Sequence, residues 1–214
     1  MVFIISIEGN IGSGKSTFVN LLKENCKDRD DICFLQEPVD QWLQIKDNEG
    51  NILQHYYKDQ QKYSFAFQMM AYISRLSLLR EAMQNKQYKF IITERSLYTD
   101  KEVFCKMLYD DKFINEIEYQ IYNKWFYEFD NWLSDFDPKF IFIYFRCDPT
   151  ISYERVQIRS RIEETIPLEY LAKCHDYHEK WLKMQDKIII DATPDIRLDP
   201  SILNDWFTIV KLFL

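Results

Sequence analysis

Short, almost wholly apolar runs alternate along this chain with longer segments in which apolar residues recur every three or four positions. Val2–Ile7, Ile32–Gln36, Lys89–Thr93, Lys139–Phe145 and Lys187–Ile190 have the length and the β-branched and aromatic content of strands. Ser16–Cys26, Gln61–Asn85, Leu97–Tyr109, Ile114–Ser134, Pro149–Arg159, Leu168–Gln185 and Pro200–Phe213 carry the helical period. The run Phe140-Ile141-Phe142-Ile143-Tyr144-Phe145 has no polar alternation, which predicts a strand covered on both faces. Five such strands with helical crossovers predict an α/β fold, a doubly wound five-stranded parallel sheet flanked by helices, in one domain spanning the chain. There is no internal repeat, and linker-like composition is confined to Asp47–Asn51 and Asp191–Pro200.

Two of the helices are too apolar for an ordinary surface. Gln61–Asn85 carries Phe65, Phe67, Met69, Met70, Tyr72, Ile73, Leu76, Leu78 and Leu79, and Ile114–Ser134 carries Ile117, Tyr119, Ile121, Tyr122, Trp125, Phe126, Phe129 and Trp132. Apolar residues on more than one helix face predict one stripe against the sheet and another against a partner, hence a homodimer built through a helical bundle. The alternative is a single deep core with no dimer.

The 214 residues, 47% hydrophobic and 16% aromatic, suffice for one well-packed domain and are few for two. A net charge of −7 without a long basic run argues against nucleic acid as a partner, although local field, not the sum, governs a small anionic ligand. Five scattered cysteines with no C-x-x-C pair fit a reduced, cytoplasmic chain. A first strand starting at residue 2 leaves no room for a signal or transit peptide, and no apolar run reaches membrane-spanning length.

Three of the four glycines fall within six residues. Gly9-Asn10-Ile11-Gly12-Ser13-Gly14-Lys15-Ser16-Thr17 contains G-x-x-x-x-G-K-S, preceded by a strand pattern and followed by a helical one. That context aims backbone N–H groups and a helix N-terminus at an anion, so the stretch is a phosphate-cradling P-loop for a nucleoside triphosphate with Mg²⁺. An ordinary glycine-rich turn would give Lys15 and Ser16 no reason to be there. The fold expected is accordingly of the P-loop NTPase type.

Three further clusters carry possible chemistry. Glu37 follows the second strand, where a carboxylate points into the crevice that such sheets use for ligands. It could position and deprotonate an acceptor hydroxyl, or be a turn residue before Pro38. Glu94 and Arg95 follow the third strand. Glu94 could hold the Mg²⁺ hydration shell, and Arg95 could reach a phosphate oxygen or hold Glu37; a plain local ion pair is the alternative. Arg155 and Arg159 lie four apart on one helix face with Arg161 just beyond, an arrangement suited to a transferring phosphoryl group or, more blandly, to a solvated helix end. His175 and His178 are too few for a metal site.

Taken together, Gly9–Thr17, Glu37-Pro38-Val39, Trp42, Phe65-Ala66-Phe67-Gln68, Glu94-Arg95-Ser96, Arg159-Ser160-Arg161 with Glu163-Glu164, and Ile166-Pro167-Leu168-Glu169-Tyr170-Leu171 resemble the deoxynucleoside kinase family. The likeness runs from residue 2 to about 182 and is greatest to the deoxycytidine/deoxyguanosine kinase branch. It implies transfer of the γ-phosphoryl of ATP or another triphosphate to a deoxynucleoside 5′-hydroxyl. Lys15 and the loop backbone would hold the donor phosphates, with Ser16 and Glu94 near Mg²⁺. Glu37 would be the general base and Arg95 its neighbour, while Arg155, Arg159 and Arg161 would form an arginine-rich lid at about 155–165. Gln68 would read the base edge, Trp42 and Phe104 line or stack on it, and Tyr57 and Glu164 bind the sugar 3′-hydroxyl. Arg75 and Asp100 match a pair that the cytidine- and purine-preferring branch keeps, which implies deoxycytidine or deoxypurines over thymidine. Two departures stand out: Ser160 replaces a frequent glycine, and Asp191–Ile196 differs from the family's donor-base loop, leaving the donor's base open. The rival readings are a thymidylate-type nucleoside monophosphate kinase, which needs extra cations for the acceptor's phosphate, and a P-loop regulatory module with no small acceptor.

Overall fold

The structure, a computed structural model, describes residues 2–159 and 166–214. Five strands, β1 (Phe3–Glu8), β2 (Ile32–Leu35), β3 (Phe90–Glu94), β4 (Lys139–Arg146) and β5 (Lys187–Asp191), form one all-parallel sheet in the order β2-β3-β1-β4-β5. The expected α/β architecture is therefore present. Its central strand β1 pairs Ile7 with Glu94 on one side and with Ile143 on the other. The chain crosses from one side of β1 to the other between β3 and β4, so the carboxyl ends of β1, β2 and β3 converge on the crevice where such sheets bind ligands.

The absence of polar alternation has the expected consequence. Ile4 and Ile91 pack into a core with α3 (Ile52–Lys58), α4 (Gln60–Gln84) and α7 (Glu116–Ser134), while Ile5 and Ile92 pack into a second core with α1 (Lys15–Asn25) and α10 (Ile202–Lys211). Successive strand residues thus face opposite layers, and both layers are apolar.

Several boundaries differ from those the pattern predicts. β1 continues one residue further, through Glu8, because its pairing to Tyr144 persists to the edge of the glycine loop. Two short helices, α2 (Val39–Leu43) and α3, escape the periodicity because they contain only five and seven residues. Pro38 opens α2 without a side-chain cap, Asn51 and Gln54 form a reciprocal capping box for α3, and Asp59 accepts from the Lys62 amide to start α4 at once. α7 starts at Glu116, not Ile114, since Asn115 and Glu118 form its capping box. The helix expected over Leu97–Tyr109 is composite: α5 (Leu97–Thr99), a π-helical stretch Asp100–Cys105 and α6 (Lys106–Asp110) follow without a break. Such a π turn is frequently found at functional sites. The remaining helices are α8 (Pro149–Arg159) and α9 (Leu168–Lys183).

Candidate active site

The glycine loop leaves β1 and ends at Gly14, which caps α1 with a left-handed backbone, φ 93°. Gly9 (φ 144°) is indispensable for a second reason, because a Cβ there would lie 2.6 Å from the Phe145 carbonyl oxygen. Lys15 opens α1 and is buried; its Nζ donates to the Asn10 carbonyl at 2.6 Å and to Ser13 Oγ at 3.4 Å. Burial, reinforced by Arg95, pulls the Lys15 ammonium down to about 7 against the opposing pull of Glu94, Glu37 and Glu8. A cation so poorly compensated is poised for an anion. Asn10 uses its own amide elsewhere, donating from Nδ2 to the Leu171 carbonyl at 2.8 Å, which hooks the loop to α9.

Across the same cleft, Glu37 terminates the extended segment after β2, where Pro38 removes a backbone donor and α2 begins. Arg95 Nη1 donates to Glu37 Oε1 at 2.6 Å and Arg75 Nη2 donates to the same oxygen at 3.1 Å. Among the described residues nothing donates to Oε2, which leaves that oxygen open to a further donor. Burial by itself would raise the Glu37 carboxyl, but Arg95, Arg75 and Lys15 outweigh it and hold it at about 2. Arg95 itself is left-handed, φ 62°, a conformation rare outside glycine and common at functional sites. Its amide donates to the Ile7 carbonyl, its guanidinium lies 5.0 Å from the Phe104 ring centre, and its buried Nε has no partner among the described residues.

Arg75, from the middle of α4, is the hub of the cluster around Glu37. Nε donates to Asp100 Oδ2 at 2.9 Å and Nη1 to the Glu94 carbonyl at 2.7 Å, besides the bond to Glu37. Burial pushes the Asp100 carboxyl up, with Arg75 opposing. The two groups lie in the bundle beside β3, with Asp100 opening the π stretch that turns its side chain inward. Trp42 and Gln68 are buried at the cleft wall; Trp42 Nε1 donates to Ser74 Oγ at 2.9 Å and its ring meets Phe67 edge-on. Tyr57 and Phe104 line the same space.

One cleft of about 830 Å³ contains the glycine loop from Ile11 to Thr17, Glu37, Trp42, Tyr57, Gln68, Glu94, Arg95, Asp100, Phe104, Arg155 and Arg159. Arg75 lies behind this lining, reaching Glu37 and Asp100 from below. Arg155 is engaged away from the cleft's centre: its guanidinium donates to the carbonyls of Ala192 (2.7 Å), Thr193 (2.9 Å) and Pro194 (3.1 Å), binding α8 to the loop after β5. Arg161, Glu164 and Ser160 lie outside the described residues, as does most of the expected lid.

Ser16 Oγ donates to Glu94 Oε1 at 2.5 Å, so a hydroxyl and a carboxylate meet at the mouth of the phosphate loop. Hard oxygen donors of this kind fit Mg²⁺ held mainly by water and phosphate. Sequence reasoning paired Arg75 with Asp100 and Arg95 with Glu37 but did not join the two pairs. The available signal was an arginine inside the otherwise apolar and small stretch of α4 from Met69 to Leu79. Tyr56 was also passed over; it is buried, lines the cleft and meets Tyr170 oxygen to oxygen at 3.2 Å.

Comparison with known proteins agrees with this geometry. Residues 5–211 match the family model described as deoxynucleoside kinase. Human deoxycytidine kinase (Homo sapiens) is 37% identical over 196 residues, covering 83% of this chain and 74% of the relative. A probable deoxycytidine kinase of Fowlpox virus is 39% identical over 181 residues, 83% and 71% of the two chains. A mitochondrial deoxyguanosine kinase of Xenopus laevis is 34% identical over 197 residues, 83% and 72%. With an all-parallel sheet, a P-loop and a single cleft joining that loop to a clamped carboxylate, the chain belongs to the deoxynucleoside kinase family, the ATP-dependent phosphotransferases that act on deoxynucleosides.

Proposed function

We propose that this kinase phosphorylates the 5′-hydroxyl of deoxycytidine and deoxypurine nucleosides in preference to thymidine. The observation that carries the reading is the buried Arg75–Asp100 pair beside the cleft. A carboxylate there, fixed from behind by the guanidinium, accepts from an exocyclic amino group and is a poor neighbour for a thymine methyl. Gln68 supplies a donor and an acceptor to the base edge, Trp42 and Phe104 enclose its faces, and Tyr57 with Glu164 takes the 3′-hydroxyl.

In the reaction Glu37 receives the acceptor hydroxyl on Oε2 while Oε1 stays fixed by two arginines. A carboxylate this acidic is a weak proton acceptor in the ground state. It orients the hydroxyl and takes the proton late, which suits a loose phosphoryl-transfer transition state. Lys15 exchanges the Asn10 carbonyl for donor phosphate oxygens, and the loop amides hold the rest. Arg95, Arg159 and Arg161 would stabilise the charge spreading over the transferred group. Ser16 and Glu94 would hold Mg²⁺, which would supply charge neutralisation at the donor phosphates.

A panel of deoxynucleosides offered with labelled ATP tests the base preference; thymidine outcompeting deoxycytidine by a wide margin would end it. A thymidylate-type activity is checked in the same panel by offering the monophosphates.

The reading extends to assembly and place. The outer faces of α4 and α7 expose Ile73, Ile117, Ile121 and Trp125, the last three 65%, 42% and 52% accessible, and a second copy covering them gives a homodimer through a helical bundle. Sedimentation is the test: the expected outcome is a dimer that Trp125→Glu dissociates, and a monomer in the unsubstituted protein would refute the pairing. Five free cysteines fit a reducing, cytoplasmic setting, and among the described residues no helix is long and apolar enough to cross a membrane.

A further inference from the structure

Glu8 is fully buried at the last position of β1, one residue before the glycine loop. Among the described residues no cation pairs with it. Its partners are three hydroxyls: Ser6 Oγ and Ser96 Oγ each donate to Oε1 at 2.7 Å, and Thr99 Oγ1 donates to Oε2 in a short bond. Thr93 Oγ1 extends the network by donating to Ser6 Oγ at 3.1 Å. A buried carboxylate is costly, and it persists here because several directional hydrogen bonds to a charged acceptor offset the loss of water. An apolar residue would fill the same space without that cost but would not fix a direction.

The partners show what is being held. Ser96 and Thr99 form the reciprocal capping box of α5, each engaging the other's backbone amide. Arg95, which grips Glu37, immediately precedes Ser96, and Asp100, which grips Arg75, immediately follows Thr99. Gly9, the first residue of the phosphate loop, immediately follows Glu8. Backbone pairing on the β3 side of β1 ends one step earlier, where the Arg95 amide donates to the Ile7 carbonyl at 3.0 Å. Past that point the strand leads to the donor loop and the Arg95 segment leads to the acceptor arm. The Glu8 carboxylate is the side-chain joint across the gap.

We propose that Glu8 is a positioning residue for phosphoryl transfer, fixing the separation between the donor phosphate loop and the Arg95–Asp100 arm that aims Glu37 at the acceptor. The inference rests on the role given to Glu37 above. Misplacement by about 1 Å costs roughly a hundredfold in rate without removing any group that binds substrate. The expected signature is therefore a fall in kcat with both KM values nearly constant.

The experiment compares Glu8→Ala, Glu8→Gln and Glu8→Asp in the full chain, measuring kcat, KM for ATP and for the best deoxynucleoside, and thermal midpoint. An amide accepts from two hydroxyls and donates to a third, so Glu8→Gln restores the joint and keeps kcat within about fivefold, whereas Glu8→Ala loses about a hundredfold with KM changes under about threefold. Glu8→Asp, one methylene short, behaves like Glu8→Ala. Unchanged kcat in Glu8→Ala, or KM values that rise while kcat holds, overturns the proposal. Should Glu8→Ala not fold, Thr99→Val and Ser96→Ala each remove one strut; loss of kcat at constant KM supports the joint, and full kcat in both overturns it. Glu37→Ala in parallel separates the two readings: full turnover there removes the role assigned to Glu37, while full turnover in the Glu8 series removes only this one.

Discussion

The two sides of the cleft are built on different principles. On the proposed acceptor side, side chains from α4, the π stretch and the segments that follow β2 and β3 are cross-linked before any substrate arrives: Arg75 and Arg95 share one Glu37 oxygen, and Arg75 holds Asp100 as well. On the proposed donor side the work falls to backbone, and two of the cations are engaged with carbonyls. Lys15 rests on Asn10 and Arg155 on residues 192–194. On the proposed reading, preorganisation is concentrated where discrimination between bases is needed. On the same reading, the donor side exchanges its internal bonds when phosphate binds.

The largest test of this contrast is Glu37→Ala. It removes the anchor of the acceptor cluster and is expected to lower turnover by about a thousandfold, while ATP affinity, read by calorimetry, changes little. Loss of ATP binding in the same variant would mean that the two sides are not separable. Next comes Asp100→Asn, which keeps the shape and removes the charge that Arg75 balances. The preference for deoxycytidine over thymidine in kcat/KM falls about a hundredfold, because an amide offers a donor where the exocyclic amino group needs an acceptor. An undiminished preference would place base reading elsewhere.

The smallest effect sharpens the donor side. With Lys15 pulled down to about 7 in the free protein, its ammonium is largely deprotonated at pH 8.5 and charged at pH 6. Donor phosphates favour the charged form, so ATP binding takes up close to one proton at pH 8.5 and little at pH 6. Affinity accordingly weakens as pH rises through 7. Calorimetry in buffers of different ionisation enthalpy measures the uptake, and none at pH 8.5 would mean that Lys15 is already charged in the free protein.

Much of the acceptor cluster could be named from sequence because each residue sits at a strand's carboxyl end or in a recognisable local string: Glu37 before Pro38, and Glu94-Arg95-Ser96 together. What escaped was the bond from Arg75 to Glu37, spanning 38 positions, and the three hydroxyls on Glu8, two of them 88 and 91 positions away. Short helices were missed for another reason. α2 and α3 do not complete the two turns that periodicity needs, and are set by Pro38 and by the Asn51 cap. Arg155 shows the limit from the other side. Its helical position was legible, but its hydrogen-bond acceptors are backbone carbonyls of residues 192–194, which no residue type announces.

The sequence by itself determined the strands covered on both faces, the glycine loop with its following helix, and the residue types available at the sheet's carboxyl edge. Those are consequences of side-chain period and of backbone conformations that only glycine adopts freely, both local properties. Which carboxylate meets which guanidinium, which oxygen of Glu37 stays open, and how Glu8 joins the two arms were decided only by tertiary structure. Charged side chains are long, can pair with several partners, and find the right one only after the sheet and α4 have packed.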